Sequence, residues 1–264
     1  MDSQWFRRFG DPGPDGPRLI CFPHAGGAAS SYAGLWRLLS PHLDVLMVQY
    51  PGRQDRRRET PERDITALAG RIAEHLMAGA DRPYAFFGHS MGAVVAYETA
   101  RALRERDAAA PLRLILSGRS APGPRPDRHD MLDGDQSILA AVRALGGTDS
   151  AVLDDPELVA MALPALRADY GALASYGWQP GPPLNSPISV FVGDADPVVP
   201  IATVAGWGEH TSLDCEVRVF PGGHFYLGEQ LDEVAEAIVD RMSAGARGPA
   251  GAAARAHHVS PVSP

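Results

Sequence analysis

The chain has 264 residues, 45% of them hydrophobic and 21% charged, with a formal net charge of −8. That length suits one large α/β domain or two small ones, and the composition excludes collagen-like and wholly disordered chains. The acidic balance offers no global basic footprint for nucleic acid, and because all 24 basic residues are Arg, Schiff-base, P-loop and Ser-Lys chemistries have no lysine to use.

Short apolar runs alternate with longer segments at helical spacing. Residues 18–22 (RLICF) predict a strand, 30–39 a helix that stops before Pro41, and 45–49 a second strand. A helix over 65–78, a strand over 84–87 and a helix over 91–104 follow. Strands at 112–116, 188–192 and 217–220 and an amphipathic helix at 231–242 complete the set. Continuous apolar strands separated by helices predict an α/β fold with a mostly parallel sheet covered on both faces. The two cysteines, Cys21 and Cys215, read as free thiols in a reducing compartment. Residues 1–16 lack the pattern of a secretory leader, and no apolar run approaches the roughly 18 residues of a membrane span. A cytoplasmic protein without a membrane partner is the expectation.

One region breaks the rhythm. Residues 121–187 contain no strand pattern, only a Pro/Arg loop (121–128) and helical patterns at 137–145 and about 157–176, with Pro164 placed to kink the second. This predicts a helical lid inserted into a domain spanning 1–243, whose core is 1–120 and 188–243. Residues 244–264 are rich in Ala, Gly and Pro and predict a disordered tail. His257 and His258 fall in it and read as exposed tail residues. No metal or cofactor is expected, and there are no internal repeats.

The sharpest chemical signal is Gly88-His89-Ser90-Met91-Gly92, placed between a predicted strand and a predicted helix. A serine on such a tight turn is pushed out at the carboxyl end of the sheet, and small flanking glycines relieve the crowding. A serine hydroxyl needs a base. In this architecture the base comes last, and His224 follows the final strand within Pro221-Gly222-Gly223-His224-Phe225. The acid should follow the preceding strand, where Asp194 and Asp196 both lie. Asp196 is the choice, because it reaches further past the strand end; Asp194 is placed to brace the turn through backbone amides. An oxyanion hole needs two donors: the N–H of Met91, and one from the loop Pro23-His24-Ala25-Gly26-Gly27, where Ala25 is the candidate. His24 is expected to pack or bond within that loop.

FPHAGG at 22–27, YPGRQDRRRE at 50–59, FGHSMGA at 87–93, GDADPVVP at 193–200 and FPGGHFYL at 220–227 together resemble the type II thioesterases of polyketide and nonribosomal peptide pathways. The resemblance spans about residues 5–243. It implies an α/β-hydrolase that clears acyl groups from the phosphopantetheine arms of acyl or peptidyl carrier proteins in antibiotic biosynthesis. It also implies the roles given above to Ser90, Asp196, His224, Ala25 and Met91. Gln54 departs from the pattern, since Gly is expected after Pro-Gly-Arg. The alternatives are a general carboxylesterase or acyl-CoA thioesterase of the same fold, and a hydrolase-fold binding protein without catalysis. Acidic carriers would need a local basic patch, and Arg53, Arg56, Arg57 and Arg58 form one by sequence.

Overall fold

The computed structural model describes residues 4–11, 13, 15–79, 81–125, 127–147 and 153–246. Seven strands form a single sheet: β1 (Phe6–Arg7), β2 (Arg18–Phe22), β3 (Asp44–Val48), β4 (Tyr84–His89), β5 (Leu114–Ser117), β6 (Ile188–Gly193) and β7 (Cys215–Phe220). Their order is β1-β3-β2-β4-β5-β6-β7, parallel throughout except for β1, which runs antiparallel to β3.

Alternation along the strands builds two cores. In β2, Ile20 and Phe22 face one way, and Leu19 and Cys21 the other; in β4, Phe86 opposes Ala85 and Phe87. On the first face, α2 (Ile65–Gly79) and α3 (Met91–Glu105) supply Leu68, Ile72, Val94 and Leu103. On the second, α1 (Ala33–Leu39) and α6 (Leu231–Ala246) supply Leu35, Leu39, Val234 and Ile238. β2 and β4 are buried on both faces, which is why their sequences are apolar without a polar alternate.

The insertion between β5 and β6 carries α4 (Gly134–Leu145) and α5 (Pro156–Ser175), which pack on each other. Asp155 caps α5 by accepting the Glu157 N–H at 2.8 Å, and Pro156 takes the first turn, where a missing N–H costs nothing. The helix continues through Pro164 to Ser175. Leu184 and Thr211 form an isolated bridge, but no strand lies between residues 121 and 187 among the described residues. Helix α6 reaches Ala246, three residues into the segment expected to be a disordered tail; the rest of that segment, with His257 and His258, lies outside the described residues. Cys21 is buried and Cys215 half-buried, both as free thiols.

Candidate active site

The GHSMG segment makes a sharp turn from β4 into α3. Ser90 sits at φ 55°, ψ −119°, a strained conformation for a residue with a side chain. The glycines are there for close approach. A Cβ at Gly88 would lie 2.2 Å from the Gly92 carbonyl oxygen, and one at Gly92 only 2.0 Å from the Phe22 oxygen. The turn is anchored to the neighbouring strand by the Ser90 N–H, which donates to the Ser117 carbonyl at 2.8 Å. Met91 is the first residue of α3.

The structure brings Ser90, Asp196 and His224 together from three strand ends. Ser90 Oγ lies 3.0 Å from His224 Nε2, and His224 Nδ1 lies 2.8 Å from Asp196 Oδ2. The Asp196 carboxylate is fully buried and the His224 ring nearly so. The other oxygen, Oδ1, accepts the Val198 and Val199 N–H groups at 2.9 and 3.1 Å, which fixes the carboxylate in the plane the imidazole needs. Asp194 does not reach the histidine ring. Its Oδ1 accepts the Gly222 N–H at 2.9 Å, so it braces the His224 loop rather than its own turn. The β6 end has no room for a side chain either: a Cβ on Gly193 would lie 2.4 Å from the Gly222 and Gly223 oxygens.

Ala25 lines the same small space as Ser90, His224, Phe225 and Tyr170. Its loop is pinned along its length. Tyr50 donates to the Pro23 oxygen at 3.0 Å, Gly27 N–H to the His24 oxygen at 2.9 Å, and Arg53 Nε to the Gly27 oxygen at 3.1 Å. Gly26 takes φ +74°, and its N–H donates to Asp169 Oδ2 of α5 at 2.7 Å. His24 packs edge-on against Phe225, with ring centroids 4.9 Å apart, inside the loop as expected. Burial lowers its pKa to about 4, helped by the nearby His224 and Arg53. His89 is likewise buried and held well below the usual histidine range, first by burial and then by His224 and His24. Its Nδ1 shares a hydrogen bond with Ser117 Oγ at 2.8 Å, and that oxygen shares another with the Tyr226 hydroxyl at 2.6 Å. Two neutral imidazoles beside His224 mean that a proton gained there meets no second histidine cation.

Next to this space lies a cavity of about 610 Å³ between α1 and the insertion helices. Leu35, Leu139, Leu153, Val159, Leu166 and Leu231 line it, and His24, Ala25, Val142 and Phe225 border both spaces. An apolar chamber opening beside a nucleophile suits a hydrocarbon group attached to a reacting carbonyl.

One expectation about this region needs correction. Of the four arginines read as a docking patch, only Arg57 and Arg58 are exposed. Arg53 is 4% exposed and pairs with both oxygens of Asp169. Arg56 is 3% exposed, donates to the Gln49 oxygen at 2.7 Å, pairs with Glu59 and lies 4.2 Å over the Trp5 ring. Burial of two cationic heads against fixed partners removes half the patch. At the departure from the family pattern, Gln54 adopts φ +42°, the left-handed region that glycine enters most easily. Its side chain compensates by bonding Ser30 Oγ at 2.5 Å and approaching Gln49 at 3.3 Å. Sequence reading missed Asp169, Ser117 and Tyr226, because each contributes through a partner on a distant element: Asp169 meets Arg53 across 116 residues, Tyr226 meets Ser117 across 109, and Ser117 meets His89 across 28.

Comparison with known proteins agrees with this geometry. The chain matches the thioesterase domain family over residues 17–242. It is 44% identical over 245 residues to thioesterase PikA5 of Streptomyces venezuelae, covering 90% of this chain and 85% of the relative. It is 34% identical to the gramicidin S biosynthesis protein GrsT of Aneurinibacillus migulanus, covering 85% and 88%. The type II thioesterase BorB from the borrelidin biosynthetic cluster superposes with a TM-score of 0.83 at 42% identity, covering 92% of this chain and 99% of that one. RedJ, from the prodiginine pathway of Streptomyces coelicolor, gives 0.81 at 37% identity, covering 89% and 90%. The α/β-hydrolase fold, the serine at its sharp turn and these relatives lead to one conclusion: the chain belongs to the thioesterase family, among the type II thioesterases of polyketide and nonribosomal peptide clusters.

Proposed function

We propose that this thioesterase works through Ser90, with His224 as general base and Asp196 as the group that orients it. The observation that carries the reading is the unbroken relay from Ser90 Oγ to His224 Nε2 at 3.0 Å and from His224 Nδ1 to Asp196 at 2.8 Å. Ser90 Oγ attacks the thioester carbonyl while its proton passes to His224 Nε2. The oxyanion forms against the N–H groups of Ala25 and Met91, donors of a kind whose individual loss costs about 10²–10³ in rate. Collapse breaks the C–S bond, and the thiol leaves with the proton from His224. Water then gives a proton to His224 and attacks the acyl-serine ester, releasing the acid and restoring Ser90.

The substrate is an acyl or peptidyl thioester on the phosphopantetheine arm of a carrier protein, and the duty is to clear carriers that hold the wrong or a stalled group. The relatives named for biosynthetic clusters support this reading, as does the apolar chamber beside Ser90. The 121–187 insertion acts as the lid of that chamber, and catalysis takes place in the cytoplasm. With Arg53 and Arg56 buried, the surface that receives the carrier cannot be the four-arginine patch. The test is a panel of acylated carrier proteins, acyl-CoAs, p-nitrophenyl esters and amides of matched acyl groups. Faster unloading of carriers than of any ester or amide is the expected result. Carriers left loaded while esters are cleaved would favour the general carboxylesterase.

A further inference from the structure

Helix α5 touches the loop that carries Ala25 at two points on one face. Leu166 packs on Gly26 so closely that a Cβ there would lie 2.5 Å from Leu166 Cδ2. Three residues on, Asp169 accepts the Gly26 N–H at 2.7 Å. Residues at i and i+3 share a helix face, so both contacts belong to one seating of the helix on the loop. The next residue, Tyr170, lines the space that holds Ser90 and His224. Asp169 is 3% exposed, and Arg53 binds both of its oxygens while its own Nε holds the Gly27 carbonyl. The other fastenings of the loop, from Tyr32 to the Phe22 oxygen and from Tyr50 to the Pro23 oxygen, come from the core. The Asp169 bond comes from the insertion.

We infer that Asp169 is a positioning residue, through which the seating of the insertion helix sets the oxyanion loop, with Arg53 as its buried counter-ion. This rests on the reading that Ala25 N–H is an oxyanion donor. With α5 seated, Gly26 is held on one side of Ala25 while Pro23 is held on the other, so the Ala25 N–H has a fixed direction. With α5 lifted, the Gly26 N–H and the Asp169 carboxylate would lose their partners together, and the Arg53 guanidinium would keep its Nε bond to Gly27 but lose its counter-ion. Buried polar groups without partners are costly, so lifting is opposed until a substrate or solvent replaces those bonds. Catalytic competence and chamber closure are therefore one event, and the oxyanion hole is complete only under a closed lid. Burial raises the Asp169 carboxyl above the usual carboxylate range, and Arg53 and the Gly26 N–H oppose that rise through their charge-assisted bonds.

The test compares wild type, Asp169→Asn, Asp169→Ala and Ser90→Ala on an acyl-N-acetylcysteamine thioester, with thermal unfolding measured for each. A second readout is the inhibition constant of an acyl trifluoromethyl ketone, which becomes a tetrahedral oxyanion on a serine nucleophile. The expected result is a kcat lowered about tenfold to a hundredfold in Asp169→Ala, less than the 10²–10³ of removing a donor outright. Asp169→Asn, which keeps an oxygen for the Gly26 N–H, should fall between it and wild type. KM should stay within about threefold, and the ketone should weaken by the same factor as kcat/KM. If Asp169→Ala does not fold, Asp169→Asn carries the test alone, and a kcat and ketone affinity within about twofold of wild type overturn the inference. Lower unfolding temperatures with unchanged kcat and ketone affinity overturn it too. If Ser90→Ala hydrolyses the thioester at the wild-type rate, the nucleophile reading itself falls; if Ser90→Ala is inactive and the Asp169 variants match wild type, only the positioning role falls.

Discussion

The Asp194 carboxylate accepts the backbone N–H of Gly222 at 2.9 Å and so ties the loop that carries Asp196 to the loop that carries His224. Asp194 is exposed, which keeps the bond's share of stability small. Its effect is on geometry. Asp194→Ala is expected to lower kcat/KM roughly three- to tenfold, because small misplacements of reacting groups are expensive. The unfolding midpoint should change little. Steady-state kinetics beside urea unfolding separates the two.

Asp196→Asn tests the orienting acid. An amide in that place keeps the shape but presents His224 with the wrong partner, and losses of about 10⁴ in kcat are the precedent for this change in a serine triad. The Val198 and Val199 N–H bonds to Oδ1 should keep the loop in place. The expected outcome is a large fall in kcat with normal circular dichroism.

His24 and His89 make the protein sensitive to mild acid. An unfolded histidine takes a proton near pH 6.5, whereas folded His24 does so only at about 4 and folded His89 is held well below the usual histidine range. Between those values the unfolded chain binds more protons, so stability drops as pH falls, by up to about 1.4 kcal/mol per pH unit for each histidine. Stability is highest above pH 6.5 and erodes toward pH 4. Urea unfolding at pH 7, 6 and 5 reads the slope. His24→Gln should flatten it, and the difference between the two proteins cancels what buried carboxyls contribute.

Gly92→Ala places a methyl group 2.0 Å from the Phe22 carbonyl oxygen, where the obstacle is backbone and cannot rotate away. Either α3 or β2 must shift. The expected cost is about 3 kcal/mol or more, in the range of severe overpacking. A thermal melt of the variant within a degree or two of wild type would mean that the turn is looser than described.

The chamber predicts its own selectivity. Ala162 lines it from α5. Ala162→Leu takes space from a long acyl chain and none from an acetyl group. About tenfold loss in kcat/KM on long-chain thioesters, with short ones unchanged, is the expected pattern, since methylene-sized changes in an apolar pocket count for roughly that much.

Much of this was legible in the sequence because the strands are buried on both faces and announce themselves as apolar runs. RLICF at 18–22 and the run ending at His89 are such segments. Strand β1 was not legible, since two residues carry no periodicity. The positions of Ser90, Asp196 and His224 could be read because each follows a strand that ends at the same edge of the sheet. Arginine clustering misled, because spacing does not show which head turns inward: Arg56 lies over Trp5 and Arg53 reaches Asp169 across 116 residues of chain. The Asp169 carboxylate follows Arg167 in a mostly apolar stretch of α5, and only the fold reveals that its partner is the loop that carries Ala25.

The central claim is that Ser90 carries the acyl group between two half-reactions. The direct measurement is rapid-quench mass spectrometry of the protein mixed with an acyl thioester, followed by proteolysis. The account predicts a transient acyl mass on the peptide containing Ser90 and none in Ser90→Ala, which should also resist a fluorophosphonate label. Acyl mass on another side chain, or wild-type turnover by Ser90→Ala, would contradict it.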